Sequence, residues 1–409
     1  MTRAAKEKYH GTSATSEVRE FRIRMGMELD LMNLWFGKTA DYFKQFISDQ
    51  TIGMARINRF DFTTLPINLL YLLYYEYRKN AKESLNFSFF EYGKNSNGNP
   101  DDDRWEMYLE LQEMYAILQR WYNDKELYHY LGFLFFNFKA QTPFRDIYTQ
   151  WKALNSRDKF LKNIQHTIAT RMLDRYLEET EKAAPDYQKC LKTMTEAISD
   201  FRENWYNNDK ELYQILILLD IFRILDSKSI KKLPTDYFTR KSGQKDGEDK
   251  EHILSQTPRK DNGEIATIKT DWERFAQSED FKDIRSQMQE ILNHSDAELT
   301  EQELTQLQNL LNSAGLNSIG NMVLLDLRIN RSYGNADYAH KRTIIFQEYM
   351  NQKYVRPHTL AVFMKGDIDA REATGIPLNR WTLEDIKRNT DKIAKEIGKN
   401  FNAWLTQNN

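Results

Sequence analysis

Two short stretches carry residue types that can do chemistry together. The first is EHILSQTP, in which Glu251 directly precedes His252. A neutral imidazole can take a proton from water, and a carboxylate beside it can hold a cation. Consecutive side chains of an extended strand face opposite ways, so these two share a cleft only at a strand end or a bulge. The alternative is a surface histidine in a charged loop. The second stretch is NSIGNMVLLDLRINRSYGNADYAHKR, residues 317–342. Its apolar run at 322–325 reads as a short buried strand, yet Asn317, Asn321, Asn330 and Asn335 surround it. Gly320 and Asn321 form a tight turn before the run, and Asn330 follows Asn321 by nine positions. Asparagine favours turns and caps over element interiors, and Asn317 and Asn335 read as turn residues.

Elements must bring these stretches together. Residues from about 18 to 230 read as helices almost throughout, with sparse Gly and Pro and apolar residues at three- and four-residue steps. LPINLLYLLYYEYRKNAKES is one such helix, with Pro66 near its first turn. DDDRWEMYLELQEMYAILQRWY is another, and its acidic start suits the positive end of a helix dipole. WYNDKELYHYLGFLFF from Trp121 echoes WYNNDKELYQILILLDIF from Trp205. A shared way of starting a helix, with Asn or Asp as cap, explains the echo. After Leu233 the chain turns polar and irregular, which places a boundary near residue 235. A charged helical insertion follows at about 271–312, and the chain closes with an amphipathic helix whose inner face carries Ile386, Ile393 and Ile397.

Bulk properties narrow the function classes. The 409 residues suffice for two or three domains, and 40% hydrophobic content with 13% aromatics supports substantial cores. No apolar run nears the ~20 residues that span a bilayer; the richest, LYQILILLDIFRIL, is interrupted by Gln214, Asp220 and Arg223. One cysteine, Cys190, and an N-terminus without an apolar signal core point to a cytoplasmic protein that does not enter a membrane. A net charge of -2 gives no global argument for nucleic acid. The charge is uneven, however. Residues 271–312 hold 3 Lys and Arg against 10 Asp and Glu, whereas 321–409 hold 14 against 10. A mildly basic C-terminal segment behind an acidic insertion permits phosphate binding without requiring it.

The order EH, then GN, strand, helix and a further Asn resembles the ββα-metal core of His-Me finger (HNH) nucleases. The nine-residue Asn-to-Asn step and the EHI opening also look like the HNH domain of RNA-guided CRISPR effectors. A closer likeness covers residues 236–409. EHILSQT, IGNMVLLDLRINRSYGNADYAHKR, VFMKG and a Trp-led final helix resemble the C-terminal nuclease domain of GmrSD-type restriction and phage-defence endonucleases. With the helical reading of the first half, the expected chain is mainly α: a helical domain at 1–235, its first 17 residues flexible, then, as the resemblance implies, an α+β His-Me finger domain at 236–409 with the helical insertion.

The same resemblance implies a metal-dependent DNA endonuclease. His252 would be the general base, Glu251 and Asn330 the protein ligands of one Mg²⁺ or Mn²⁺, and Asn321 the brace of the histidine loop. Oxygen donors suit Mg²⁺, which keeps several waters. Lys341 and Arg342 are expected at the phosphate, against the alternative of ordinary solvated helix charges. His340 ranks behind Asn330 as a metal ligand, and Asn335 behind both. RNA cleavage, or a non-catalytic nucleic-acid-binding or assembly module, remain the competing functions.

This sequence departs from the resembling family in three places. The lead-in KDGEDK is polar where a strand-forming apolar segment is usual. His252 and Asn321 stand 69 positions apart, far more than a compact ββα core needs. Neither a DGQQR-type motif nor a G-x-x-x-x-G-K-[ST] loop is present, so recognition and NTP hydrolysis are expected from a partner protein or a further domain.

Overall fold

The computed structural model describes residues 14–79, 84–86, 90, 100–229, 232–240, 247–255, 257–258, 264–329, 338–365 and 379–406. The chain packs as two units, Met1–Gln165 and His166–Asn409. The polar segment after Leu233 therefore falls inside the second unit.

The described part of the first unit is helical: α1 (Ala14–Phe43), α2 (Asp49–Ile57), α3 (Asn68–Arg78), α4 (Pro100–Asn123), α5 (Lys125–Phe138), α6 (Phe144–Leu154) and the start of α7 (Arg157–Leu173). Aromatic residues dominate its interior. Tyr42 stacks on Tyr128 with ring centroids 4.7 Å apart, and Phe46 stacks on Phe135 at 3.8 Å. The Tyr42 hydroxyl donates to the Tyr128 carbonyl at 2.8 Å, which lets a buried phenol keep a partner. Asp124 caps α5 by accepting from the N–H groups of Glu126 and Leu127, both at 3.0 Å.

The second unit continues with α8 (Tyr187–Ser199), α9 (Asp209–Asp226), β1 (Glu248–His252), α10 (Lys269–Ala276), α11 (Arg285–Asn293), α12 (Glu301–Ser313), β2 (Met322–Asp326), α13 (Tyr338–Met350), α14 (Pro357–Met364) and α15 (Leu383–Thr406). The helix-start echo is only partial. Asn208, which opens α9, makes no side-chain cap, and its amide donates to Glu211 at 2.9 Å instead. No described helix is long and apolar enough to cross a membrane.

β1 and β2 pair antiparallel, with Glu248 opposite Asp326 and His252 opposite Met322. The long step between them is taken up by α10–α12, so the helical insertion leaves the sheet after β1 and returns before β2. Trp272, Phe281, Met288, Leu292, Leu307 and Leu311 of this excursion are buried with Ile253 and Val323 in one core. A Thr300–Glu303 capping box starts α12.

The turn before β2 docks on α15. Asn389 donates to the Gly320 carbonyl at 2.9 Å, and a Cβ on Gly320 would lie 2.3 Å from the Ile386 carbonyl oxygen. Only glycine permits that approach. Ile386, Ile393 and Ile397 form the inner face of α15, as its periodicity predicts.

Candidate active site

β1 is a strand made of EDKEH. Its polar residues argue against an ordinary strand, since charged groups are costly to bury unless paired. Here each finds a partner contributed by another element. Glu248 receives Nε and Nη2 of Arg356 at 2.8 and 2.7 Å, and Nη1 of the same guanidinium reaches Asp220 at 2.8 Å. All three side chains are at most 2% exposed. Burial pushes the Asp220 carboxyl above the usual carboxylate range, against the pull of Arg356 and of the His358 N–H. Asp249 accepts from the Tyr213 hydroxyl and from Arg240, both at 3.2 Å. Lys250 donates to Asp209 and to the Tyr206 carbonyl, and its ammonium lies 4.1 Å from the Tyr206 ring centroid.

His252 ends this strand. Ile253 N–H donates to the Asn321 carbonyl at 2.9 Å, which extends the ladder by one bond. Asn321 is fully buried, and its amide grips the backbone just beyond the histidine. Its Oδ1 accepts from Leu254 N–H at 2.8 Å; its Nδ2 donates to the Leu254 and Leu316 carbonyls at 3.0 and 2.8 Å. One side chain therefore satisfies three buried backbone groups that neither strand can reach.

The imidazole of His252 is buried, with 7% exposure. Its Nε2 lies 2.9 Å from Asn317 Oδ1, and the Tyr206 ring stacks on it at 4.7 Å and 22°. Alternation along β1 sends Glu251 to the other side. There its Oε1 accepts from Lys341 Nζ at 2.8 Å, and the same ammonium donates to the His252 carbonyl at 2.7 Å.

Lys341 thus sits elsewhere than the sequence suggests. Its side chain is fully buried and held by Glu251 and His252, not offered to a phosphate. Arg342 next to it turns inward as well, donating to the Phe363 carbonyl at 3.0 Å with its guanidinium 4.5 Å from the Phe346 ring. His340 is exposed on α13. Asn330 and Asn335 lie outside the described residues. Among the described residues, no three His, Cys, Asp or Glu side chains group as a metal cluster would.

Sequence reasoning assigned Asn317 to turn chemistry and overlooked Tyr206. Asn317 stands among other polar turn residues, and nothing local separates it from them. Tyr206 belongs to the echoed WYN segment, whose repetition pointed to helix capping.

Residues 195–396 match the family described as GmrSD restriction endonucleases, C-terminal domain. The match takes in both strands, the whole excursion between them, α13, α14 and most of α15. Residues 195–396 belong to that family. The match supports a nuclease, and the charged strand, His252 and the Asn321 clamp all lie within the matched residues. No curated protein and no solved structure matches the chain.

Proposed function

We propose that the chain is a metal-dependent endonuclease of the HNH, or His-Me finger, type that hydrolyses phosphodiester bonds of DNA in bacterial restriction or phage defence. The observation that carries this reading is the Asn321 clamp: the asparagine immediately before β2 ties both backbone groups of Leu254, two residues past His252, and so fixes His252 at a strand end. His252 takes the proton from the attacking water. Lys341 holds Glu251 and the His252 carbonyl in register and does not itself touch the phosphate. Recognition of the substrate comes from a partner protein or a further domain.

Glu251 and Asn330 would hold one Mg²⁺ or Mn²⁺. The donor chemistry fits such an ion: Glu251 is a carboxylate whose side chain is 18% exposed, and carboxylate oxygens are the donors Mg²⁺ prefers. A bound ion supplies charge stabilisation at the phosphate and at the leaving 3′ oxygen.

The test is cleavage of supercoiled plasmid by the purified chain with Mg²⁺ or Mn²⁺, in parallel on plain, modified and single-stranded DNA and on RNA. The expected result is DNA nicking that stops with EDTA and falls at least about 100-fold in Glu251→Ala. Cleavage of RNA alone would redirect the reading to an RNA-cleaving effector. Cleavage indifferent to EDTA would overturn the metal assignment.

A further inference from the structure

The first unit holds a cleft that the nuclease chemistry does not use. It lies among the start of α2, the end of α3 and the start of α6 and encloses about 780 Å³. Pockets that take small organic ligands have volumes of this order.

Three observations make one side of the cleft a place for an anion. α6 opens on Pro143, which has no polar side chain to cap it. The first N–H groups of the helix, which lack intrahelical acceptors, and the positive end of its dipole therefore meet no side-chain oxygen there. Thr142, one residue earlier, lines the cleft and is 5% exposed, and its hydroxyl is buried with no hydrogen-bond partner among the described residues. An orphaned buried hydroxyl costs free energy, which a ligand that supplies the partner recovers. Arg145, the second residue of α6, donates to the Tyr77 carbonyl at 2.8 Å and to the Lys79 carbonyl, and it pairs with no carboxylate among the described residues.

The acids around the cleft do not cancel this. The Glu76 carboxylate is already matched, accepting from Ser48 N–H at 3.1 Å and from Lys79 Nζ at 2.7 Å. The Asp49 side chain is 90% exposed and takes Lys139, and Asp146 is exposed as well, so both stand in water. Phe46, Tyr75 and Phe144 add apolar surface to the lining.

We propose that this cleft binds a small organic anion. Its phosphate or carboxylate head sits at the start of α6, held by the Thr142 hydroxyl, the first N–H groups of the helix and Arg145. Its planar apolar body lies against Phe46, Tyr75 and Phe144. The site does not depend on the reading of His252 as a base, since none of these residues belongs to the strands or their partners.

The experiment titrates the full chain calorimetrically and follows its thermal unfolding with four organic probes and inorganic phosphate at millimolar concentration. Adenosine 5′-monophosphate and 2-naphthoate carry the two kinds of head. Adenosine and 2-naphthamide lack the charge, and inorganic phosphate lacks the body. One headed compound is expected to bind at a single site and raise the unfolding midpoint at concentrations where the three controls do not; which one does so names the head. Thr142→Val removes the hydroxyl at nearly constant shape. Because that hydroxyl is unpaired without ligand, the variant alone should be at least as stable as the wild type, yet bind the headed compound about 10-fold more weakly, as expected for one lost hydrogen bond to a charged group. Arg145→Gln keeps a donor for the α3 carbonyls and loses the charge, and should weaken binding by a similar factor. Should Arg145→Gln not fold, Thr142→Val decides alone. Saturable binding of neither headed compound would overturn the proposal, as would binding that adenosine or 2-naphthamide matches. Undiminished affinity in Thr142→Val would place the ligand elsewhere and overturn it too.

Discussion

The two strands of the sheet share one ladder and are built from opposite materials. β2 is MVLLD, with Met322, Val323, Leu324 and Leu325 all at most 2% exposed. β1 is EDKEH, and Glu248 and His252 are buried while the residues between them are half-buried. β2 is placed by removal of apolar surface from water, which is non-directional and tolerates change of shape. β1 is placed by ion pairs and hydrogen bonds to named groups on α9, α13, the 205–209 turn and the segment before α14. Such partners are directional, and loss of a buried one leaves a desolvated charge. A strand held this way fixes the residue at its end, His252, in a defined orientation.

The largest effect is expected where that difference is sharpest. Arg356→Met removes the cation shared by the two buried carboxylates of Glu248 and Asp220. It should cost about 3–5 kcal/mol, read as a lower midpoint in urea unfolding. Leu324→Ala, on the apolar strand, should cost about 2–4 kcal/mol through the cavity it leaves. A conservative Leu324→Met should cost under about 1.5 kcal/mol, whereas Arg356→Lys, which cannot reproduce the forked contact, should recover little. Equal tolerance at the two positions would remove the distinction between the strands.

Gly320→Ala probes the turn that joins them to α15. The new methyl would meet the Ile386 carbonyl at 2.3 Å, and the expected loss is about 1–3 kcal/mol with reduced nicking. The smallest effect is expected at the charged partner of β1 whose own side chain is most exposed. Asp209, with 57% side-chain exposure, partners Lys250, and Asp209→Ala should change stability by less than about 1 kcal/mol.

This contrast also explains what the sequence made legible. The apolar run at 322–325 reads as a buried strand on its own, and the periodicity of α15 and of the N-terminal helices is equally local. The excursion at 271–312 was legible from its charge and helical spacing. β1 was not, because what makes EDKEH a strand lies far along the chain: Arg356 is 108 positions from Glu248, and Lys341 is 90 from Glu251. The same holds around the histidine. Asn317 lies 65 positions from His252, and its neighbours in sequence give no hint of that contact. Lys341 looked like a surface cation because its basic neighbour and helical setting are typical of one; only the fold shows Glu251 waiting beneath it.

The central claim is that this charged strand exists to hold His252 as a general base. The most direct measurement compares plasmid nicking by wild type and His252→Ala in Mg²⁺, with unfolding midpoints recorded for both. The account expects similar folding and a rate loss of at least about 100-fold in His252→Ala. Nicking that persists at the wild-type rate in a folded His252→Ala protein would contradict it.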